Sequence, residues 1–202
     1  MRIATLFRQA CFGALLAVVF SCSDEGVEDQ PIKAEGTQLS VMFLPQQCQS
    51  WCWAAGIAMV ANYVGSYVQE CELARAKTGF ECCYYGCYGY CNQTAQSNEI
   101  DGLLAQANVA HNYQAGPLSE HQLQVELSSD RPVLAGFQGP FAGHVAVITG
   151  FTSGYVTTYR IYDPWYGIID APYSGLLSGP GFGEPWVHSY FKIHKYNPGG
   201  CE

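Results

Sequence analysis

The chain has 202 residues and a formal net charge of −8, with nine lysines and arginines against 17 aspartates and glutamates. So few basic side chains are unfavourable for binding a nucleic-acid backbone, and we expect no nucleic-acid partner. Since 49% of the residues are hydrophobic, the chain can build a domain with a core of its own.

Residues 1–21 have the features of a signal peptide. Arg2 and Arg8 precede an apolar stretch that is too short for a stable membrane-spanning anchor. The stretch ends in "VVFSC", which resembles the lipobox of bacterial lipoproteins, with Cys22 as the acylated residue; cleavage of an ordinary signal peptide near Ser21 is the alternative. We therefore predict lipidation of Cys22, attachment to a membrane through that lipid, and localisation at the outer membrane or cell surface, or otherwise in the periplasm or the medium.

Residues 22–38 are polar and lack apolar periodicity, which predicts a flexible tether. The remaining residues, 39–202, are then one domain of about 165 residues, long enough for a sizeable core. No segment after the signal peptide is long and apolar enough to cross a membrane.

Cysteine usage agrees with export. Apart from Cys11 and Cys22, the chain has eight cysteines, at positions 48, 52, 71, 82, 83, 87, 91 and 201. This density is typical of proteins from oxidising compartments. If Cys52 is free, an odd number remains, and one more cysteine must also be unpaired.

The segment "FECCYYGCYGYCN" is predicted to be a loop stapled by disulfides. Cys83, Cys87 and Cys91 recur at intervals of four, and zinc or iron–sulfur ligands are the alternative interpretation of that spacing. An exported loop rich in Tyr and Gly favours disulfides, so we expect neither a metal nor a cofactor. Its tyrosines would either form a rim for peptide binding or cover the disulfides.

Helical patterns occupy the first part of the domain. The clearest is "SWCWAAGIAMVANYVG", with Ser50 as N-cap, Gly65 at its end and apolar residues on nearly all sides, as in a core helix. "VQECELARAK" and "SNEIDGLLAQANV" are further candidates. In "PLSEHQLQVELSSDRP", Ser119 and Gln122 form a capping box.

Strand patterns follow. They are rich in β-branched and aromatic residues and bounded by Gly or Pro turns: "PVLAGFQ", "HVAVITGF", "YVTTYRIYD" and "WVHSYFKIHKY". The Gly- and Pro-rich stretch "YGIIDAPYSGLLSGPGFGEP" is predicted to be a long loop. Helices followed by an antiparallel sheet indicate an α+β domain.

Four residues have the properties that a cysteine hydrolase needs. Cys52 lies in the first turn of the core helix, where free N–H groups and the helix dipole favour a thiolate. His144 begins one strand and Asp163 ends the next, so a hairpin would bring both to one end of the sheet. Gln46 could donate to an oxyanion together with the Cys52 backbone N–H; Gln47 is the alternative.

Each of these residues also has a purely structural interpretation. Cys52 could form a disulfide with Cys48. A lone histidine such as His144 is usually structural, and Asp163 before a proline could be an ordinary turn residue. The other histidines are interpreted as surface or packing residues: His111, His121, His188 and His194.

Taken together, the motifs resemble papain-like cysteine proteases. Gln46, five residues, Cys52, Trp53 and Ala54 look like the Gln-x5-Cys-Trp-Ala signature, and "DPW" is similar to the Asn-x-Trp element with aspartate in place of asparagine. The combination of "PQQ…SWCWAA", "CELA…CC…CN", "GHVAVITGF" and "DPWYG" looks most like a bacterial branch. That branch includes plant-pathogen effector proteases and is related to bacteriocin-processing peptidases.

The resemblance covers about residues 44 to 170. It implies a papain-like fold, a triad of Cys52, His144 and Asp163, and hydrolysis of peptide bonds through an acyl-enzyme. It also implies that Trp165 shields the hydrogen bond between Asp163 and His144.

We therefore predict an exported cysteine endopeptidase that acts on peptides or proteins. One alternative is another amide acyl-transfer enzyme, such as a cell-wall amidase or a transglutaminase-like enzyme. The other is a non-catalytic module that binds peptides or proteins through the stapled loop. The sequence does not indicate an oligomeric state.

Overall fold

The computed structural model describes residues 36–139, 143–181 and 183–197. The predicted signal peptide, Cys22, Cys201 and nearly all of the tether lie outside the described residues. The lipidation site and the domain boundaries therefore stay predictions.

Helices dominate the first half of the described chain, and strands dominate the second. The helices are α1 Cys52–Tyr63, α2 Glu70–Thr78, α3 Cys82–Tyr85, α4 Ser97–Gln106, α5 Glu120–Ser128 and α6 Tyr173–Leu177, with a 3₁₀ turn at Gly89–Cys91. The strands are β1 Thr37–Gln38, β2 Val109–Ala115, β3 Val133–Gln138, β4 Gly143–Thr152, β5 Thr158–Asp163, β6 Gly167–Pro172 and β7 Trp186–Lys195. This arrangement confirms the predicted α+β class.

The described strands form one antiparallel sheet with the order β2-β7-β3-β4-β5-β6, and β1 pairs with β4. The predicted hairpin is present, since Val147 of β4 lies opposite Tyr162 of β5. It brings the start of β4 and the end of β5 to the same end of the sheet.

Three parts of the chain differ from the prediction. Strand β1 lies at the end of the predicted tether, β2 was not predicted as a strand, and β6 and helix α6 lie within the stretch predicted to be a long loop. Strand β6 forms because it pairs with β5 across the short turn 164–166, with Ile169 opposite Ile161. The pairing is local, but a stretch rich in Gly and Pro is unfavourable for a strand and so did not indicate it.

Helix α1 lies in the core, as predicted, and the side chains of residues 52–61 are buried. It packs on the sheet so closely that a Cβ on Gly56 would lie 2.8 Å from Leu134 Cδ1. Gly65 (φ +77°) follows its end as predicted. The predicted N-cap was wrong: Trp51 precedes the helix, and Ser50 instead donates its backbone N–H to Asn92 Oδ1 at 2.9 Å.

The stapled loop is confirmed. Three disulfides join described cysteines, Cys48–Cys87, Cys71–Cys83 and Cys82–Cys91, and they fix residues 79–93, hereafter the disulfide lobe. Cys48 is therefore not bonded to Cys52, and none of the three evenly spaced sulfurs is left as a metal ligand. Tyr84 and Tyr88 are more than four-fifths exposed, so they do not cover the disulfides.

Among the described residues, no helix combines the length and apolarity that crossing a membrane would require. The buried side chains form one hydrophobic cluster, to which α1, the strands of the sheet and the helices α2, α4 and α5 all contribute.

Candidate active site

Cys52 is the first residue of α1 and the only free cysteine among the described residues. Its side chain is buried, with 8% of the residue exposed. The N–H groups of a first helical turn have no partner within the helix, and the helix dipole adds positive potential there. This position therefore favours a negatively charged sulfur.

The two tryptophans beside Cys52 fix the start of the helix. The Trp51 indole N–H donates to the Cys91 carbonyl at 2.7 Å, and the Trp53 indole N–H donates to the Gln93 carbonyl at 2.9 Å. Both rings are almost fully buried. The disulfide lobe thus holds Cys52 from both sides of the chain.

His144 and Asp163 meet at the end of the β4–β5 hairpin. His144 Nε2 lies 2.7 Å from Asp163 Oδ2. The carboxylate is fully buried, and its other oxygen accepts the backbone N–H groups of Trp165 and Tyr166, each at 2.8 Å. The turn after β5 therefore fixes the carboxylate, and the carboxylate fixes the imidazole.

The surroundings of His144 favour its protonated form. Burial alone would lower its pKa, but hydrogen bonds to Asp163 and Cys52, together with their negative charges, outweigh burial and raise the pKa to about 10. Because Asp163 occupies Nε2, Nδ1 is the ring nitrogen that remains for the sulfur. The imidazole therefore lies between the carboxylate of Asp163 and the sulfur of Cys52.

Gln46 lies beside this site, but its amide faces backbone carbonyls. Its side-chain N–H groups donate to the carbonyls of Cys48 at 2.8 Å and Gln49 at 2.7 Å. Its backbone N–H donates to the Pro164 carbonyl at 3.0 Å, which ties the loop before α1 to the turn after Asp163. Gln46 could therefore donate to an oxyanion, as predicted, only if its side-chain amide gave up one of these two hydrogen bonds.

An aromatic ring that the sequence did not indicate contacts His144. The Tyr166 ring lies edge-on to the His144 imidazole, with centroids 6.1 Å apart. Trp165 is 56% exposed, and its shielding of the hydrogen bond between Asp163 and His144 stays a prediction. The backbone N–H groups of Trp165 and Tyr166 both donate to Asp163, so this turn holds the carboxylate.

Cys52 and His144 open into a cleft with a cavity volume of about 210 Å³. His188 also lines it, a placement that its interpretation as a surface or packing residue did not indicate. The sequence did hold a signal, because His188 lies two residues before the buried Tyr190 and so shares its face of the strand. His111, by contrast, pairs with Asp101 at 2.8 Å.

Glu70 is a further buried group that the sequence did not indicate. It is 3% exposed, and its Oε2 accepts the Gln47 backbone N–H at 3.0 Å. Burial raises its pKa to about 7. The carboxyl thus holds the loop that leads into α1.

In the parts of the chain that the structure describes, no three His, Cys, Asp or Glu side chains are grouped so that they could hold a metal ion.

Two solved structures share the fold. One is a double-glycine-motif protease from an AMS/PCAT transporter in complex with the leader peptide, at a TM-score of 0.50 and 14% identity, covering 79% of this chain and 94% of that one. The other is the peptidase domain of Streptococcus ComA, a bifunctional ABC transporter involved in quorum sensing, at a TM-score of 0.51 and 14% identity, covering 76% and 97%.

The comparison with curated proteins gave no match. The family model described as papain-like cysteine protease AvrRpt2 matches residues 35–172, more than half of the chain. The chain therefore belongs to the AvrRpt2 family of papain-like cysteine proteases.

Proposed function

We propose that this cysteine peptidase cleaves internal peptide bonds of exported or external polypeptides, with Cys52 as nucleophile. The observation that carries the proposal is the free, buried sulfur of Cys52 in one cleft with His144, whose imidazole binds Asp163 at 2.7 Å. Membership of the family supports peptide hydrolysis.

The geometry supports the following reaction. The Cys52 thiolate attacks the carbonyl carbon, and the Cys52 backbone N–H stabilises the oxyanion, joined by Gln46 if its amide turns towards the cleft. His144 then protonates the leaving amine from Nδ1, which leaves a thioester. Water, deprotonated by His144, attacks the thioester and frees the acid and the sulfur. Asp163 keeps the imidazole in place through both steps.

A peptide substrate is also supported by the related structure of a double-glycine-motif protease, which holds a leader peptide. The disulfides support export, because three disulfides in a small domain are typical of oxidising compartments. The "VVFSC" motif supports a lipid anchor at Cys22.

Hydrolysis tests the proposal directly. The purified wild-type protein should cleave a denatured protein, whereas Cys52→Ala and His144→Ala should lose the activity. His194→Ala is the matched control, since His194 is an exposed histidine on β7 that does not line the cleft. Cleavage of isolated cell-wall peptides alone would favour an amidase instead, and a wild-type protein without any hydrolytic activity would favour a binding module.

Localisation is tested separately. The full-length protein should fractionate with membranes, and Cys22→Ser should release it into the soluble exported fraction. An unchanged distribution of Cys22→Ser would contradict the lipid anchor.

A further inference from the structure

The cleft continues from the catalytic residues across three neighbouring strands. Val145, the residue after His144, lies opposite Gly136 on β3, and Gly136 lies opposite His188 on β7. Residues directly opposite each other on adjacent strands point to the same face of the sheet. All three line the cleft, so they form a row that starts beside His144.

Gly136 lets the His188 side chain pack onto the middle of this row. A Cβ there would lie 3.0 Å from His188 Cβ and 3.4 Å from His188 Cδ2, so a side chain at position 136 would meet His188. The backbone itself does not require glycine, because Gly136 is not among the residues with positive φ. The absence of a side chain thus makes room for His188 rather than relieving backbone strain.

The imidazole of His188 is held with one edge against Gly136. Its Nδ1 lies 2.9 Å from the Tyr113 hydroxyl on β2, on the opposite side of the ring from Cδ2. Since Nε2 adjoins Cδ2, this nitrogen is on the side of Gly136. Burial lowers the pKa of His188, so the ring is neutral at pH 7 and Nε2 offers one uncharged hydrogen bond.

Apart from Cys52 and His144, the described lining is uncharged. No Asp, Glu, Lys or Arg is among the described residues that border the cavity. Ile100 and Tyr190 supply buried apolar surface. His144 is already bound by Asp163 and Cys52, so a charged side chain beside His188 would lose its hydration without gaining an ion partner, which is costly.

We propose that Val145, Gly136 and His188 form a substrate subsite that accepts an uncharged polar side chain, that of Asn, Gln, Ser or Thr, and binds it through His188 Nε2. The subsite rests on the proposed peptidase function, and it specifies the class of peptide that the cleft selects. Tyr113 is a positioning residue, because it fixes the ring that contacts the substrate. The volume of about 210 Å³ for the entire cleft favours side chains of moderate size.

The first experiment measures peptide binding without turnover. Capped octapeptides of alanine and glycine, carrying Gln, Met or Glu as a guest at each position in turn, are titrated into Cys52→Ala. At one guest position, Gln should bind about tenfold tighter than Met or Glu, the usual gain from one hydrogen bond. The ratio should fall to about one in Cys52→Ala/His188→Leu and recover in part with His188→Asn.

Two further variants separate the contact from a general disturbance of the strand. His194→Leu changes a histidine of the same strand outside the cleft, and the Gln-to-Met ratio should stay at its original value. Tyr113→Phe should lower the Gln-to-Met ratio without bringing it down to one, because the His188 ring loses only its hydrogen bond to the Tyr113 hydroxyl. A ratio of one at every guest position in Cys52→Ala, no binding of any peptide, or a ratio insensitive to His188→Leu would overturn the subsite.

Cleavage of the same peptides distinguishes this proposal from the proposed function. If the wild type cleaves them without selectivity that depends on His188, the subsite fails and the peptidase function stands. If His188-dependent binding is present but the wild type cleaves none, the peptidase function fails and the subsite stands.

Discussion

The charge of a single imidazole decides the chemistry of this cleft. At His144, burial opposes the charged form, whereas the hydrogen bonds and negative charges of Asp163 and Cys52 favour it, and the latter prevail. A neutral histidine at this place would make the sulfur an ordinary buried thiol. The activity that we propose therefore depends on the two neighbours, Asp163 and Cys52, that raise the pKa of this ring.

Asp163→Asn should lower the pKa of His144 from about 10, because the amide can still accept a hydrogen bond but carries no charge. The imidazolium then loses its proton at lower pH, and we expect kcat/KM for peptide hydrolysis to fall by about tenfold; Asp163→Ala should cost about 10²-fold or more. NMR titration of the His144 ring in the wild type and both variants measures the shift.

Asp170→Asn provides the control, since Asp170 pairs with Arg160 on the surface of the β5–β6 hairpin. It should leave the titration of His144 unchanged. A His144 ring that titrates at the same pH in Asp163→Asn as in the wild type would contradict the account of its charge.

Glu70 makes stability depend on pH. Because burial raises its pKa from 4.5 to about 7, the folded protein holds this proton between those values while the unfolded chain has released it. The free energy of unfolding should therefore fall as pH rises through that window. Glu70→Gln removes the ionisation and should be more stable than the wild type at pH 8, by on the order of 1–3 kcal/mol, with little difference at pH 4.

Urea unfolding at both pH values, without reductant, measures this difference. Glu81→Gln, which changes an exposed glutamate, should show no comparable pH dependence. A Glu70→Gln variant less stable than the wild type at pH 8 would mean that the ionised carboxylate stabilises the fold.

At the scale of elements, the contact between α1 and the sheet sets the distance from Cys52 to His144. Gly56 makes this contact possible, since a Cβ would meet Leu134 Cδ1 at 2.8 Å and Val145 Cγ1 at 2.9 Å. Val145 is the residue next to His144. A side chain at position 56 would therefore push the helix away from the strand that carries the imidazole.

Gly56→Ala should destabilise the protein by about 1–3 kcal/mol through overpacking, despite the better helix propensity of alanine. Gly102→Ala is the matched control: it also lies in a helix, a Cβ there meets nothing within 4 Å, and it should stabilise by about 0.5–1 kcal/mol. Chemical unfolding of both variants gives the comparison. If Gly56→Ala and Gly102→Ala changed the free energy of unfolding equally, α1 would tolerate a wider spacing from the sheet.

The disulfide between Cys48 and Cys87 connects the loop before α1 to the disulfide lobe across 39 positions of sequence. Replacing both cysteines by alanine should lower the free energy of unfolding by up to about 4 kcal/mol, from the entropy of a loop of that length. The same change at Cys71 and Cys83, 12 positions apart, should cost about 3 kcal/mol. Urea denaturation of the two double variants without reductant tests which disulfide contributes more to the free energy of unfolding. A larger loss of stability on removal of Cys71–Cys83, which closes the shorter loop, would contradict the entropic explanation.

At the scale of the whole molecule, the helical half supplies the sulfur, and the sheet supplies the imidazole and the carboxylate. A backbone hydrogen bond from Gln46 to Pro164 joins the two halves directly at the site. The disulfide lobe supports the same region from the other side through the indole groups of Trp51 and Trp53.

Local patterns predicted the parts of this molecule that local interactions form. The core helix, the capping box at Ser119 and the β4–β5 hairpin were all predicted from short stretches, and the structure contains them. The meeting of His144 and Asp163 follows from that hairpin.

Contacts between distant segments were not predictable in the same way. The partner of Cys48 depends on which segments meet in the folded chain, since Cys87 lies 39 positions away. Ser50, the predicted N-cap, likewise donates its backbone N–H to Asn92, 42 positions away. Two other differences are local: β6 pairs with the neighbouring β5 in a stretch whose Gly and Pro content favours a loop, and the Gln46 amide turns to carbonyls two and three residues further on.

The most direct test of the central claim is covalent labelling of the folded protein by a peptidyl epoxide at pH 6, followed by peptide mass mapping. We predict one adduct, on Cys52, that forms at least about 10²-fold more slowly in His144→Ala, because the imidazolium is what sustains the reactive sulfur. Residue 52 found in a disulfide, or labelled at the same rate in both proteins, would contradict the account.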